Sequence, residues 1–230
     1  MPVRPVSSRL RHWRIVAVCL GVHTGATWGL VVPVKRLALA KTRLQEYGDT
    51  TRQELALAFA ADVVRAALRC PLVAGVLVVT DDRRAAAVLS RLGAGVVPDD
   101  PGAGLNPALA HGADLVRARD PDCAVATLSA DLPALTEHDL AAALGTVRAG
   151  ERAFVADVSD GGTTLLAAGP GARLDPAYGP GSRQRHAASG ARELAGPPSL
   201  RLDVDTPADL DAARTLGVGP ATAAVLAGLA

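Results

Sequence analysis

Short apolar runs, each about one strand long, recur along this chain with helix-length segments between them. WGLVVPV (28–34) and VAGVLVVT (73–80) read as buried strands, AGVVPD (94–99) as a short third strand and CAVATLSAD (123–131) as a fourth. Thr51-x-x-Glu54 has the form of a capping box that opens a helix reaching Cys70, and Asp81-Asp82 begin the next helix. A further helix is expected over about 106–118, and another from Thr136 to about Val147, with Thr136 as N-cap and Asp139 in the box position. AFVADV (153–158) and TTLLAA (163–168) are strand candidates joined by SDGG. The Gly- and Pro-dense stretch 169–181 reads as a loop before a short helix from Ser182. LRLDVD (200–205) reads as a last strand, Thr206-Pro207 as a helix start, and the final residues as a terminal helix. Strands alternating with helices predict an α/β fold with a mostly parallel sheet covered on both faces.

The chain has 230 residues, which suits one such domain, expected over 28–216 with a tail helix at 217–230. Residues 1–27 carry basic residues and a brief apolar run; they are expected to be an extension, disordered or from a mis-assigned start. With 49% apolar but 3% aromatic residues, the core must be built from Ala, Val and Leu. A net charge of +1 without a basic stripe argues against general nucleic-acid binding. No run approaches the roughly 18 apolar residues of a membrane span. Cys19, Cys70 and Cys123 are odd in number and form no CxxC pair, which argues against a disulfide framework or a zinc site.

In a doubly covered sheet, ligands bind beyond the carboxyl ends of the strands. That singles out Lys35, Asp81, Asp99, Asp131 and Asp205. Asp131, in LSADLPALT, emerges from a buried run just before Leu-Pro; a buried carboxylate must reach water or hold a cation. Asp203 and Asp205 in LDVDTPADL fall on one side of an extended segment. If the two strand ends are neighbours, these oxygens suit Mg²⁺ bound partly through substrate phosphates; a simple helix cap at Asp205 is equally compatible with the local pattern. Lys35, Lys41 and Arg43 place fixed positive charge where nucleotide phosphates would lie, although neither common glycine-rich phosphate fingerprint is present and a solvated basic loop fits the same residues. Asn106 could read a nucleobase or ribose, or cap a helix. Gly179 and Ser182 precede a helix, as in an anion nest or an ordinary flexible loop.

Six stretches, VVPVKRLALAKTRL, GLNPALAHG, LSADLPALT, DGGTTLL, YGPGSRQRH and LDVDTPADL, stand in the order found in the CofC/FbiD guanylyltransferases of coenzyme F420 biosynthesis. The chain resembles that family from about Trp28 to Leu216. The resemblance implies a nucleotide-diphospho-sugar transferase fold of the GT-A-like, MobA-like type in a cytoplasmic enzyme. It implies GTP, Mg²⁺ and a phosphorylated three-carbon acid, phosphoenolpyruvate or 2-phospho-L-lactate, as reactants and cofactor. By motif, Asp131 with Asp203 or Asp205 would hold the metal, Lys35 and Lys41 the triphosphate, and Thr164, Gly179 and Ser182 the acceptor. A relative acting on a molybdopterin or sugar phosphate, and a non-catalytic nucleotide-binding domain, are the competing expectations.

Overall fold

The computed structural model describes residues 27–99, 102–159 and 161–229; the expected extension and Cys19 lie outside the described residues. Seven strands among them form one sheet: β1 (Trp28–Pro33), β2 (Val73–Val79), β3 (Gly95–Val97), β4 (Ala124–Leu128), β5 (Arg152–Ala156), β6 (Thr163–Ala168) and β7 (Arg192–Glu193). Their spatial order is β3-β2-β1-β4-β6-β5-β7. β3, β2, β1 and β4 run parallel, β6 is antiparallel to both β4 and β5, and β7 pairs parallel with β5. The sheet is therefore mostly parallel, as the strand–helix alternation predicts.

The connecting helices are α1 (Asp49–Arg69), α2 (Arg83–Arg91), α3 (Leu105–Arg117), α4 (Glu137–Leu144), α5 (Ser182–Ala188), α6 (Pro198–Arg201), α7 (Pro207–Leu216) and α8 (Pro220–Ala227). Alternate residues of β1 feed opposite faces. Leu30 and Val32 pack with Val63 and Val64 of α1, while Val31 packs with Leu109, Ala113 and Val116 of α3. Small residues let α3 lie close to the sheet: a Cβ on Gly112 would sit 2.7 Å from Val31 Cγ1. A third apolar cluster bears directly on the site. Leu44, Leu55 and Phe59 pack with Leu202, Val204 and Leu210, fastening the segment after β1 to the segment before α7.

Three expectations are corrected. LRLDVD is not a strand of the sheet. Pro198 presets the helical φ at the first position of α6, and the extended residues that follow cross beyond the end of β4, where Val204 N donates to Asp131 O at 2.9 Å. Thr51-Glu54 does not start α1. Gly48, at φ 79°, is its N-cap and Arg52 N bonds Gly48 O, so Thr51 falls inside the first turn. Asn106 does not cap α3 either; Gly104, at φ 103°, holds that position. Other start signals match their sequence reading: Asp82 caps α2, Thr136 caps α4, and Thr206 with Asp209 forms a complete capping box on α7. Cys70 and Cys123 are buried free thiols. No helix among the described residues is long and apolar enough to cross a membrane.

Candidate active site

The segment after β1 forms two short 3₁₀ turns, Leu37–Leu39 and Thr42–Tyr47. Two side chains from elsewhere hold it. Asp82 Oδ2 accepts from Leu37 N at 2.9 Å while Oδ1 accepts from Arg84 N and Ala85 N. Burial opposes the charge on Asp82, but the N–H groups of Ala85, Leu37 and Arg84 outweigh it and hold its pKa below the ordinary carboxylate value. Arg52 of α1 is buried, and its guanidinium donates to Leu37 O at 3.3 Å, Ala38 O at 3.0 Å and Ala40 O, with Asp49 completing the set at 3.0 Å. Loop carbonyls are thus turned toward Arg52, beneath the loop. Sequence reasoning missed Arg52; an arginine one turn into an amphipathic helix reads as a solvated side chain until its carbonyl partners are seen.

Between the two turns Lys41 adopts a left-handed backbone, φ 53° and ψ 42°, a conformation costing a non-glycine residue about 1 kcal/mol or more. Its ammonium lies between two carboxylates, 2.5 Å from Asp131 Oδ2 and 2.7 Å from Asp205 Oδ1. Arg43 stands 3.7 Å from the other oxygen of Asp205. Burial works against the Lys41 charge, yet Asp131 and Asp205 more than offset it and raise its pKa. In Asp205 burial likewise raises the pKa, but Lys41, then Arg43 and Lys35, bring it below its usual value. Asp203 makes no contact with Lys41. Burial first, then the nearby charges of Asp131, Asp157 and Asp205, push its carboxyl up to about 7. Asp205, rather than Asp203, shares the Lys41 ammonium with Asp131. Asp205 is no helix cap, since Thr206 fills that role.

Lys35, Lys41, Arg43, Asp131 and Asp205 line one cleft of about 420 Å³ above the carboxyl ends of β1 and β4. Leu39 and Leu105, 71% and 37% exposed, give the same cleft apolar walls. Among the described residues no three acidic, histidine or cysteine side chains converge as a ready metal cage; the cation between Asp131 and Asp205 is the lysine's own.

The expected acceptor residues lie along β6 and α5. Ser129 N donates to Thr164 O at 2.8 Å, so the antiparallel β6 begins where β4 ends. Thr164 Oγ1 is buried and donates to Leu200 O at 2.6 Å, tying β6 to the segment that carries Asp203 and Asp205. Gly179, at φ 119°, accepts from Ser182 N at 3.0 Å in the tight turn that opens α5. Ser182 Oγ meets Thr163 Oγ1 at 3.1 Å, and Thr163 Oγ1 meets His186 Nδ1 at 3.0 Å. None of Thr164, Gly179 and Ser182 lines the 420 Å³ cleft. Asn106 is committed elsewhere: its amide donates to Tyr178 O at 3.1 Å and accepts from Tyr178 N at 2.7 Å, pinning the 169–181 loop to α3. Those bonds give Asn106 a structural task in place of the nucleobase contact considered from sequence.

A cleft with cations from the β1 loop and carboxylates from two further segments can bind a polyphosphate and position a second anion beside it. A phosphoenolpyruvate guanylyltransferase of Thermomonospora curvata is 61% identical over 203 residues, covering 87% of this chain and 89% of that protein. One of Streptomyces coelicolor is 58% identical over 205 residues, covering 88% and 97%. Among solved structures, a Desulfovibrio desulfuricans G20 protein assigned as a nucleotide-diphospho-sugar transferase superposes with TM-score 0.63 at 21% identity, over 87% of this chain and 94% of that one, and so shares the fold. The family model described as guanylyl transferase CofC like matches residues 29–214, and the chain belongs to that family of guanylyltransferases.

Proposed function

We propose that this guanylyltransferase joins the GMP moiety of GTP to phosphoenolpyruvate and releases pyrophosphate, in coenzyme F420 biosynthesis, with Mg²⁺ as cofactor. The acceptor assignment is supported by the names of the two relatives described above, and the chemistry by one observation: Asp131 and Asp205, from separate segments, face a single cation at 2.5 and 2.7 Å. The donor set fits the metal. Both groups supply hard carboxylate oxygens at a half-buried site whose lining contains neither imidazole nor thiol. Asp131 and Asp205 would hold Mg²⁺, with Asp203 beside them. Held there, Mg²⁺ would offset the negative charge of the reacting phosphates.

A phosphate oxygen of the acceptor attacks the α-phosphorus of GTP; the new P–O bond forms as the bond to the bridging oxygen of pyrophosphate breaks. The nucleophile is already an anion near neutral pH, so no strong general base is required. The chain's task is to overcome repulsion between two anions and align them. Lys35 and Arg43 bind the leaving phosphates from the loop that Asp82 and Arg52 hold in place. Gly179, Ser182 and Thr164 order the acceptor side, Thr164 through its bond to Leu200. The test is mass spectrometry of products from GTP with phosphoenolpyruvate or with 2-phospho-L-lactate, together with pyrophosphate release by Asp131→Asn. We expect the phosphoenolpyruvate adduct and a loss of about 10³-fold or more in Asp131→Asn. Near-normal turnover by that variant, or a product containing neither acid, overturns the reading.

A further inference from the structure

The lysine between the two carboxylates is the observation on which this inference is built, and it rests on the metal reading given above. Magnesium binds oxygen at about 2.1 Å and wants near-octahedral geometry. Lys41 Nζ is 2.5 Å and 2.7 Å from oxygens of both carboxylates, so ammonium and dication exclude each other from the gap. The Lys41 side chain is 10% exposed, and its backbone is held in the left-handed region. This is a built position, not a surface ion pair. The same side chain lines the cleft with Lys35 and Arg43, so a rotation of its flexible stem carries the charge from carboxylates toward phosphates.

We infer that Lys41 is a positioning residue with two stations: without nucleotide its ammonium stands in for the divalent cation between Asp131 and Asp205, and it yields that place when cation and GTP enter together. Three consequences follow from the geometry. The carboxylates are kept charged and apart in the free protein. A divalent cation alone binds weakly, because it must evict an ammonium that has no other partner. Phosphates give the ammonium a second partner, so nucleotide and cation tighten each other's binding reciprocally.

Mn²⁺, a hard-oxygen probe, is titrated into nucleotide-free protein and the free ion is read by electron paramagnetic resonance. Wild type is expected to bind weakly. Lys41→Gln and Lys41→Met are expected to bind at least about tenfold tighter, the loss of one like charge at the site, whereas Lys41→Arg keeps the charge and stays weak. Circular dichroism checks each fold; Lys41→Gln retains an amide donor for the carboxylates should the methionine variant not fold. Mn²⁺ binding by folded Lys41→Gln as weak as wild type overturns this inference alone, provided wild-type pyrophosphate release still requires the metal. Metal-independent pyrophosphate release by wild type overturns the metal reading and this inference with it.

Discussion

His186 shows how far one side chain's environment can be deduced from its partners. It is fully buried against Phe154 and Tyr178. Nε2 accepts from Ala177 N at 3.0 Å, so the ring proton sits on Nδ1 and is donated to Thr163 Oγ1. Burial first, then the positive charges of Arg152 and Arg185, lower its pKa from 6.5 to about 4. Between those values the unfolded chain binds a proton that the folded chain refuses, so stability falls as pH falls from 6.5 toward about 4 and levels off below. The full effect is on the order of 2 to 3 kcal/mol. Urea midpoints of wild type and His186→Gln at pH 7 and pH 4.5 check this. The variant is expected to be weaker at pH 7 and to lose less on acidification; parallel losses in both proteins would show that His186 does not carry the pH response.

At the scale of elements, the loop after β1 depends on α1. Arg52 satisfies the carbonyls of Leu37, Ala38 and Ala40 at once, and lysine cannot reproduce that fork. Arg52→Gln should leave buried acceptors unpaired, costing about 2 kcal/mol in urea unfolding. Because Arg52 does not line the cleft, its kinetic effect should fall on KM for GTP, about tenfold or more, with kcat changed less. Arg52→Lys should rescue only part. Equal falls in kcat with KM unchanged would place Arg52 in the chemistry instead. Much at this scale was legible in advance. Apolar runs located β1, β2 and β4, the caps at Asp82, Thr136 and Thr206 located three helix starts, and strand ends pointed to Lys35, Asp131 and Asp205. LRLDVD misled because Leu-Asp-Val-Asp mimics a two-residue period. Its side chains do alternate, with Val204 buried and both aspartates partly exposed, but the segment lies across the end of β4 rather than along a strand. The roles of Arg52 and of the paired hydrogen bonds between Asn106 and Tyr178 were illegible because their partners are backbone groups 12 to 15 and 72 residues away.

Across the whole molecule, sheet order divides the labour. β1 lies between β2 and β4, so its loop separates the side where β2 and β3 end from the side where β4, β6 and the Asp203–Asp205 segment meet. In the proposed reaction, nucleotide phosphates bound over the β1 loop would face an acceptor bound over β4 and β6. The segment bearing Asp205 is held from below by the Leu44–Phe59–Val204 cluster, and partly buried Val218, Val225 and Leu226 extend that cluster to α8. The terminal helix is therefore tied to the site-bearing core. Asp62, buried in α1, caps it: its carboxylate accepts from Ala221 N at 2.9 Å and Thr222 N at 2.8 Å, with Arg65 3.4 Å away. Truncation after Gly217 strips both N–H donors from a buried charge, which costs about 3 kcal/mol or more. Adding Asp62→Leu to the truncated chain removes the stranded charge and should recover part of that loss, whereas the same substitution in the full-length chain should destabilise, because the buried N–H of Thr222 and the partly buried N–H of Ala221 lose their acceptor. Urea unfolding of the four proteins measures the coupling. Additive losses, with no recovery in the double variant, would mean that α8 is held by its apolar contacts and that Asp62 contributes nothing to its docking.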